Sequence, residues 1–266
     1  MHKTVRKVLR AVADYDPDYY DMYEDPNEAL FARLYVERIL AHASEAGCAP
    51  PATLLEAGCQ AGRLVVPFAK AGYRVTGVDT SGFALRRARR HAQATQVDAE
   101  FVEGDIVDVL ARHPEWQYDV VVCAEVVYLS RQYQQILQAL AHAARPGGLI
   151  CVSHRPKWYY LIEALRQADL RTAMSVLERA EGPFRDSTYY NWQTEDDLRS
   201  LYGSLGLQWV AMYPIDRCAW LTGLDPSRLT AEEREQLFAV ERAQASAALA
   251  RYVLVIAQRP LTGQRA

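Results

Sequence analysis

The run Leu54-Leu55-Glu56-Ala57-Gly58-Cys59-Gln60-Ala61-Gly62 carries an apolar strand into a turn of small residues, and a helical pattern begins at once. Such a turn lets backbone N–H groups and a helix N-terminus approach a ligand closely. Asp79 ends a second apolar run, RVTGVD, and Asp105 follows a third, in Glu103-Gly104-Asp105-Ile106. Ligands of open α/β sheets bind outside the carboxyl ends of the strands, so Glu56, Asp79 and Asp105 would line one crevice. An acid-lined rim suits a cationic ligand. Three groups near that crevice could take a proton: His154 at the end of a fifth apolar run, and Glu125 and Tyr128 just past the fourth.

The elements that would hold these groups alternate between short β-rich runs and helical ones, the pattern of a parallel sheet with helices on both faces. Strands are expected at Thr53–Ala57, Arg74–Asp79, Glu100–Gly104, Asp119–Ala124 and Leu149–His154, then at Leu207–Tyr213 and Tyr252–Gln258. The run VVVCA is continuously apolar, as a central strand buried on both faces requires. Helices are expected at Leu64–Ala71, Gly82–Thr95, Gln132–Ala144 and Glu195–Leu205, with Arg-Pro-Gly-Gly at 145–148 stopping the third. The fold expected is α/β, a Rossmann-like, seven-stranded, mostly parallel sheet sandwiched by helices, with helical lid insertions.

The chain divides accordingly into a Tyr-rich segment and cap helix over 1–50, a ligand-binding core over 51–155 and a helical insertion over 156–192. A core helix and strand follow over 193–213, then a second helical insertion over 214–250 and the last strand with its tail over 251–266. Asp25-Pro26-Asn27-Glu28 is a helix start, with an N-cap acid, proline at the first helical position and a carboxylate three residues on. Thr230 and Glu233 form a second capping box.

Half of the 266 residues are hydrophobic and 24% are charged, the composition of a globular protein with an ample core. Lys+Arg at 30 against Asp+Glu at 33 leaves a net charge of −3, which argues against the broad basic face that DNA binding needs. No apolar run is long enough to span a membrane, and Arg10 breaks the N-terminal run that a signal peptide would need. The five cysteines are widely spaced with no CxxC pair, which fits reduced thiols of a cytoplasmic protein and no metal site.

A nicotinamide-type G-x-G-x-x-G loop would need glycine where Gln60 and Arg63 stand, so that reading fits poorly. The spacing of Glu56, Gly58 and Gly62 instead resembles motif I of the class I S-adenosylmethionine-dependent methyltransferases. Gly77-Val78-Asp79-Thr80-Ser81, Tyr118-Asp119 leading into VVVCAEVVYL, and RPGG before strand five match further. The resemblance implies S-adenosylmethionine as cofactor and S-adenosylhomocysteine as product. It places Glu56 near the ammonium, Asp79 on the ribose hydroxyls and Asp105 on the adenine amino group. By position, Gly58, Cys59, Gln60, Gly62, Thr80, Ile106, Cys123 and Ala124 would line the same site. Family members usually carry glycine where Gln60 stands, and a side chain there could crowd the methionine moiety.

The acceptor is expected to be a small molecule. The amino-methyltransferases of DNA bases carry Asn/Asp-Pro-Pro-Tyr after strand four, and this chain has no proline pair there. The stretch Cys123–Tyr128 is similar to the ubiquinone-type O-methyltransferases, but their histidine is Leu129 here, so the quinone does not carry over. Tyr15, Tyr19, Tyr20 and Tyr23 crowd the N-terminal segment, Trp158-Tyr159-Tyr160 follow strand five, and Tyr189-Tyr190-Asn191-Trp192 close the insertion. In related enzymes these segments fold over the crevice, so Tyr19, Tyr20, Tyr159, Tyr190 and Trp192 are candidate pocket residues. Arg155, Lys157, Arg185 and Arg217 could hold an acceptor carboxylate or phosphate. Arg86, Arg87, Arg89 and Arg90 keep RNA as a rival acceptor, beside a protein side chain. A non-catalytic cofactor- or partner-binding chain is a further alternative, with Gln60 its one hint. The Ala-rich stretch around 239–250 is a candidate homodimer interface.

Overall fold

The computed structural model describes residue 16 and residues 19–184, 188–243 and 249–261. Tyr15, Arg185 and residues 244–248 of the candidate interface lie outside the described residues. One seven-stranded sheet organises the chain, in the order β3-β2-β1-β4-β5-β9-β8. Its strands are β1 (Thr53–Ala57), β2 (Arg74–Asp79), β3 (Ala99–Glu103), β4 (Tyr118–Cys123) and β5 (Ala144–His154), all parallel. β8 (Gln208–Ile215) and β9 (Tyr252–Gln258) complete it, with β9 antiparallel to both of its neighbours.

Strand alternation divides the apolar residues into two layers. Leu54, Val120, Val122 and Cys151 face one layer, which holds α1 (Pro26–Glu45) and α2 (Val65–Lys70) through Leu34, Tyr35, Ile39, Val65 and Phe68, and Leu85 of α3 (Gly82–Ala94). Leu55, Val121, Cys123, Ile150 and Val152 face the other. That layer takes Ile106 and Val109 of α4 (Ile106–Arg112), Leu137 and Leu140 of α5 (Tyr133–Ala143), and Leu198 and Tyr202 of α8 (Glu195–Ser204).

All seven expected strands are present, β1, β2 and β9 with the expected ends and the others with ends displaced by one to five residues. The helix α4 has no counterpart among the expected elements; it is short, and Asp105 caps it by accepting from the Val107 and Asp108 N–H groups. Asp25 caps α1 in the same way, accepting from Asn27 and Glu28. The insertion after β5 is only half helical. After α6 (Lys157–Arg166) and α7 (Leu170–Glu178) comes an antiparallel ribbon, β6 (Glu181–Phe184) with β7 (Thr188–Asn191). Tyr160, Leu161, Ala164, Val176, Phe184 and Trp192 give this segment a small apolar core of its own. The second insertion carries α9 (Cys218–Thr222), a 3₁₀ turn at Pro226–Arg228 and α10 (Ala231–Arg242), whose Thr230–Glu233 capping box forms.

The Arg-Pro-Gly-Gly stretch is not a loop: it belongs to β5, opposite a register shift in β4 between Tyr118 and Val120. Arg145 holds the irregularity through Asp119, with its Nε 2.6 Å from Oδ1. A Cβ on Gly148 would stand 2.9–3.0 Å from three backbone carbonyls, those of Arg145, Asp119 and Tyr118. Backbone in a sheet cannot yield cheaply, so Gly148→Ala is expected to cost at least about 2 kcal/mol by urea unfolding. A change below about 0.5 kcal/mol would contradict this account of the β4–β5 junction.

Candidate functional site

Glu56, Asp79, Asp105 and Glu125 stand at or just beyond the carboxyl ends of four parallel strands, on one edge of the sheet. The turn after β1 is built by backbone conformations that favour glycine. Gly58 has φ +84°, and a Cβ there would run into Val126 of the turn after β4. Gln60 also adopts positive φ, at 44°.

Asp79 is oriented by two backbone donors: Gln60 N–H to Oδ2 at 2.9 Å and Ser81 N–H to Oδ1 at 2.8 Å. Each oxygen keeps a lone pair for a further donor. Glu56 is 3% exposed, and its Oε2 has no hydrogen-bond partner. Burial raises its pKa to about 8, against a partial pull downward from Arg63 and the Val65 N–H. Cys59 and Cys123 are buried, unpaired by disulfides, and held as neutral thiols by that burial. Ile106 and Ala124 are buried, whereas Thr80 is exposed, as is Asp105 beyond its helix cap. Cys48 and Cys151 are also buried free thiols.

The Gln60 side chain turns to the N-terminal segment instead of the turn it stands in. Its Nε2 donates to the Tyr20 carbonyl at 3.0 Å, and its Oε1 accepts from the Met22 N–H at 3.2 Å. Residues 19–25 thereby lie across the glycine turn and the start of α3. Tyr19 meets Phe83 edge-on at 4.9 Å, and Asp21 pairs with Arg87. A cleft of about 400 Å³ opens between them, walled by Tyr19, Tyr20, Glu24, Phe83 and Arg87.

A charge cluster escaped the sequence reading. Arg63, 6% exposed, is ion-paired with both Glu28 of α1 and Glu125, the latter at 2.8 Å. Burial first, and the facing Glu125 charge second, raise the pKa of Glu28. Glu28 therefore does not reach back to its own helix start as a capping-box carboxylate would; it points inward to Arg63. Glu125 sits at φ +62°, and its N–H donates to Ser153 Oγ at 2.6 Å.

His154 lies on the other face of the sheet. Ser153 and Arg155 flank it on the face of Glu125 and Tyr128, while His154 meets Tyr202 of α8, Nε2 to hydroxyl, at 2.9 Å. Full burial lowers its pKa to about 3, so the ring stays neutral. Tyr128 stays on the crevice face and receives Arg155 Nη2 at 3.3 Å. Of the aromatic candidates, Tyr159 and Tyr190 border this region: Arg155 lies over the Tyr159 ring, and Tyr190 stacks at 6.4 Å from Tyr128. Trp192 is 1% exposed inside the insertion's own core, its indole N–H given to the Arg179 carbonyl.

Residues 54–148 match the family model described as a methyltransferase domain. The ubiquinone biosynthesis O-methyltransferase of Klebsiella pneumoniae is 34% identical over 100 residues, 38% of this chain and 41% of that protein. The Salmonella arizonae protein of the same description is also 34% identical over 100 residues, with the same coverage of both chains. The match thus spans about two fifths of the length of these relatives. Among solved structures, magnesium protoporphyrin IX methyltransferase from Synechocystis aligns with TM-score 0.60 at 18% identity, over 96% of this chain and 98% of that one. The 1,6-didemethyltoxoflavin-N1-methyltransferase of Burkholderia thailandensis aligns with TM-score 0.57 at 19% identity, over 97% and 89%. Residues 54–148 thus carry a methyltransferase domain.

The state of Glu56 gives a pH test. Its carboxyl holds a proton to about pH 8 in the fold but ionises near 4.5 when unfolded. The stability this confers is complete below pH 4.5 and is lost as pH rises toward 8. Glu56→Gln, neutral throughout, should therefore gain in Tm over the native protein as pH rises from 5 to about 8. A Tm difference that does not change with pH would contradict the buried, unpartnered placement of Glu56.

Proposed function

We propose that this chain transfers a methyl group from S-adenosylmethionine to an oxygen or nitrogen of a small-molecule acceptor, leaving S-adenosylhomocysteine. The observation that carries the reading is the buried Oε2 of Glu56, left without a partner behind a glycine turn that no side chain could enter at Gly58. A cationic ammonium would satisfy that oxygen. Asp79, with each oxygen already fixed by a backbone donor, is set to accept from paired ribose hydroxyls. Asp105, Ile106, Cys123 and Ala124 complete the wall at the ends of β3 and β4. Gln60 supports this fit, since its side chain is engaged by Tyr20 and Met22.

Bound there, the sulfonium offers a methyl carbon whose C–S bond breaks as the acceptor's lone pair attacks in line. Alignment supplies most of the acceleration in such a displacement. The side chains considered as bases support that view. His154 is buried against Tyr202, Glu125 is ion-paired with Arg63, and Tyr128 receives a cation. Tyr19, Tyr20, Tyr159 and Tyr190 would close over the acceptor and exclude water.

An RNA acceptor finds less support. Arg87 pairs with Asp21 and Glu24, Arg89 donates to the Phe101 carbonyl and Arg86 to the Gly82 carbonyl, so this helix face is engaged within the chain. Among the described residues no helix is long and apolar enough to cross a membrane.

Calorimetry with S-adenosylmethionine and, separately, S-adenosylhomocysteine tests the reading. Both should bind, and Asp79→Ala should weaken each by at least about tenfold, the loss of hydrogen bonds to a charged acceptor. Binding unchanged by Asp79→Ala would contradict the site, and absence of binding to either would overturn the function.

A further inference from the structure

Three arginines stand around the carboxyl ends of β4 and β5 and the start of β9, Arg63 buried and Arg155 and Arg251 half-buried, and two have acidic partners. Arg63 has Glu28 and Glu125, and Arg251 has Asp216 at 3.0 Å. Arg155 has none: among the described residues it makes no ion pair. Its surroundings are phenolic. The guanidinium carbon lies 4.3 Å from the ring centre of Tyr128, 4.6 Å from Tyr159 and 4.7 Å from Tyr252. Nη2 donates to the Tyr252 hydroxyl at 2.6 Å and to Tyr128 at 3.3 Å, while Nε is buried without a partner.

A cation withdrawn from water without a counter-charge is costly, and ring faces offset only part of that cost. The place of Arg155 in the fold says what would supply the rest. It follows Ser153, whose hydroxyl holds Glu125, on the crevice face of β5, and Tyr128 stands in the turn after β4. The cage therefore borders the space where, on the reading above, an acceptor must lie. Trp220 extends its outer wall, 5.3 Å from Tyr159.

The geometry points to Arg155 as an acceptor-binding residue that holds a carboxylate, so that the acceptor is a small aromatic or planar acid; this rests on the methyltransferase reading. The charge count selects a carboxylate over a phosphate. The cage carries one uncompensated positive charge, which a monoanion neutralises and a dianion would overshoot, since Arg251 is already committed to Asp216. The planar guanidinium fork matches a carboxylate, and the half-buried rings of Tyr159 and Trp220 are the ones that could meet an aromatic body.

The test uses hydroxy- and aminobenzoates and indole carboxylates, each beside its primary amide, with phenyl phosphate as the dianionic probe. Binding is read by calorimetry on the full chain saturated with S-adenosylhomocysteine. At least one acid should bind about tenfold more tightly than its amide, and Arg155→Gln should remove that preference. The affinity of Arg155→Gln for S-adenosylhomocysteine should stay that of the native protein, which also reports that the variant is folded. Should it not fold, Arg155→Lys keeps the charge and loses the fork, and its acid preference should fall without vanishing. Acids and amides binding alike across the whole set, or Arg155→Gln keeping the preference, would overturn the assignment. Phenyl phosphate binding more tightly than every acid would overturn the carboxylate. Failure of the native protein to bind S-adenosylhomocysteine would instead strike the methyltransferase reading itself.

Discussion

A single buried guanidinium joins three segments that are distant in the chain. Arg63 leaves the glycine turn and meets Glu28, 35 positions earlier in α1, and Glu125, 62 positions later beyond β4. Removing one partner of such a buried group typically costs about 3–5 kcal/mol, because the remaining charges are left without compensation. The turn after β1 and the turn after β4 are therefore held in register with each other and with α1. The close approach of Gly58 to Val126 is the packing counterpart of that electrostatic tie. Glu125, held at positive φ between Arg63 and the Ser153 hydroxyl, carries the constraint on to β5 and so to Arg155.

The N-terminal segment is fastened to the same turn by a different device. Where the methyltransferases that the turn resembles usually place glycine, Gln60 spends both ends of its amide on the backbone of Tyr20 and Met22. The left-handed conformation that glycine would adopt freely is kept, and the side chain serves as a clasp outside the turn. The N-terminal segment is thus linked to the backbone that orients Asp79, since the Gln60 N–H is one of that carboxylate's two donors.

Much of this was legible in the residues. The strands could be located because a parallel sheet buried on both faces demands short, continuous apolar runs, and VVVCA and LICV, β-branched and bounded by turn or polar residues, fit that demand. The glycine turn and the acids at strand ends followed from the same pattern. The ribbon at 181–191 was not legible, since Glu-Gly-Pro-Phe lacks alternation and its pairing partner is set by packing on α6 and α7. Helix α4 was too short to show a period. Glu28 read as a helix-start carboxylate and Arg63 only as a break in a nicotinamide-type loop, because their pairing depends on partners far away in the chain. His154 carried a usable signal in its parity: a residue between Ser153 and Arg155 on a strand must face the opposite layer.

The most direct test of the central constraint is hydrogen exchange on Arg63→Met, followed with and without S-adenosylhomocysteine. Loss of the ion cluster should cost protection in α1 and in residues 58–64 together, and the ligand should restore less of it than in the native protein. Faster exchange confined to residue 63 and its neighbours, with ligand protection intact, would contradict the view that Arg63 holds the site together.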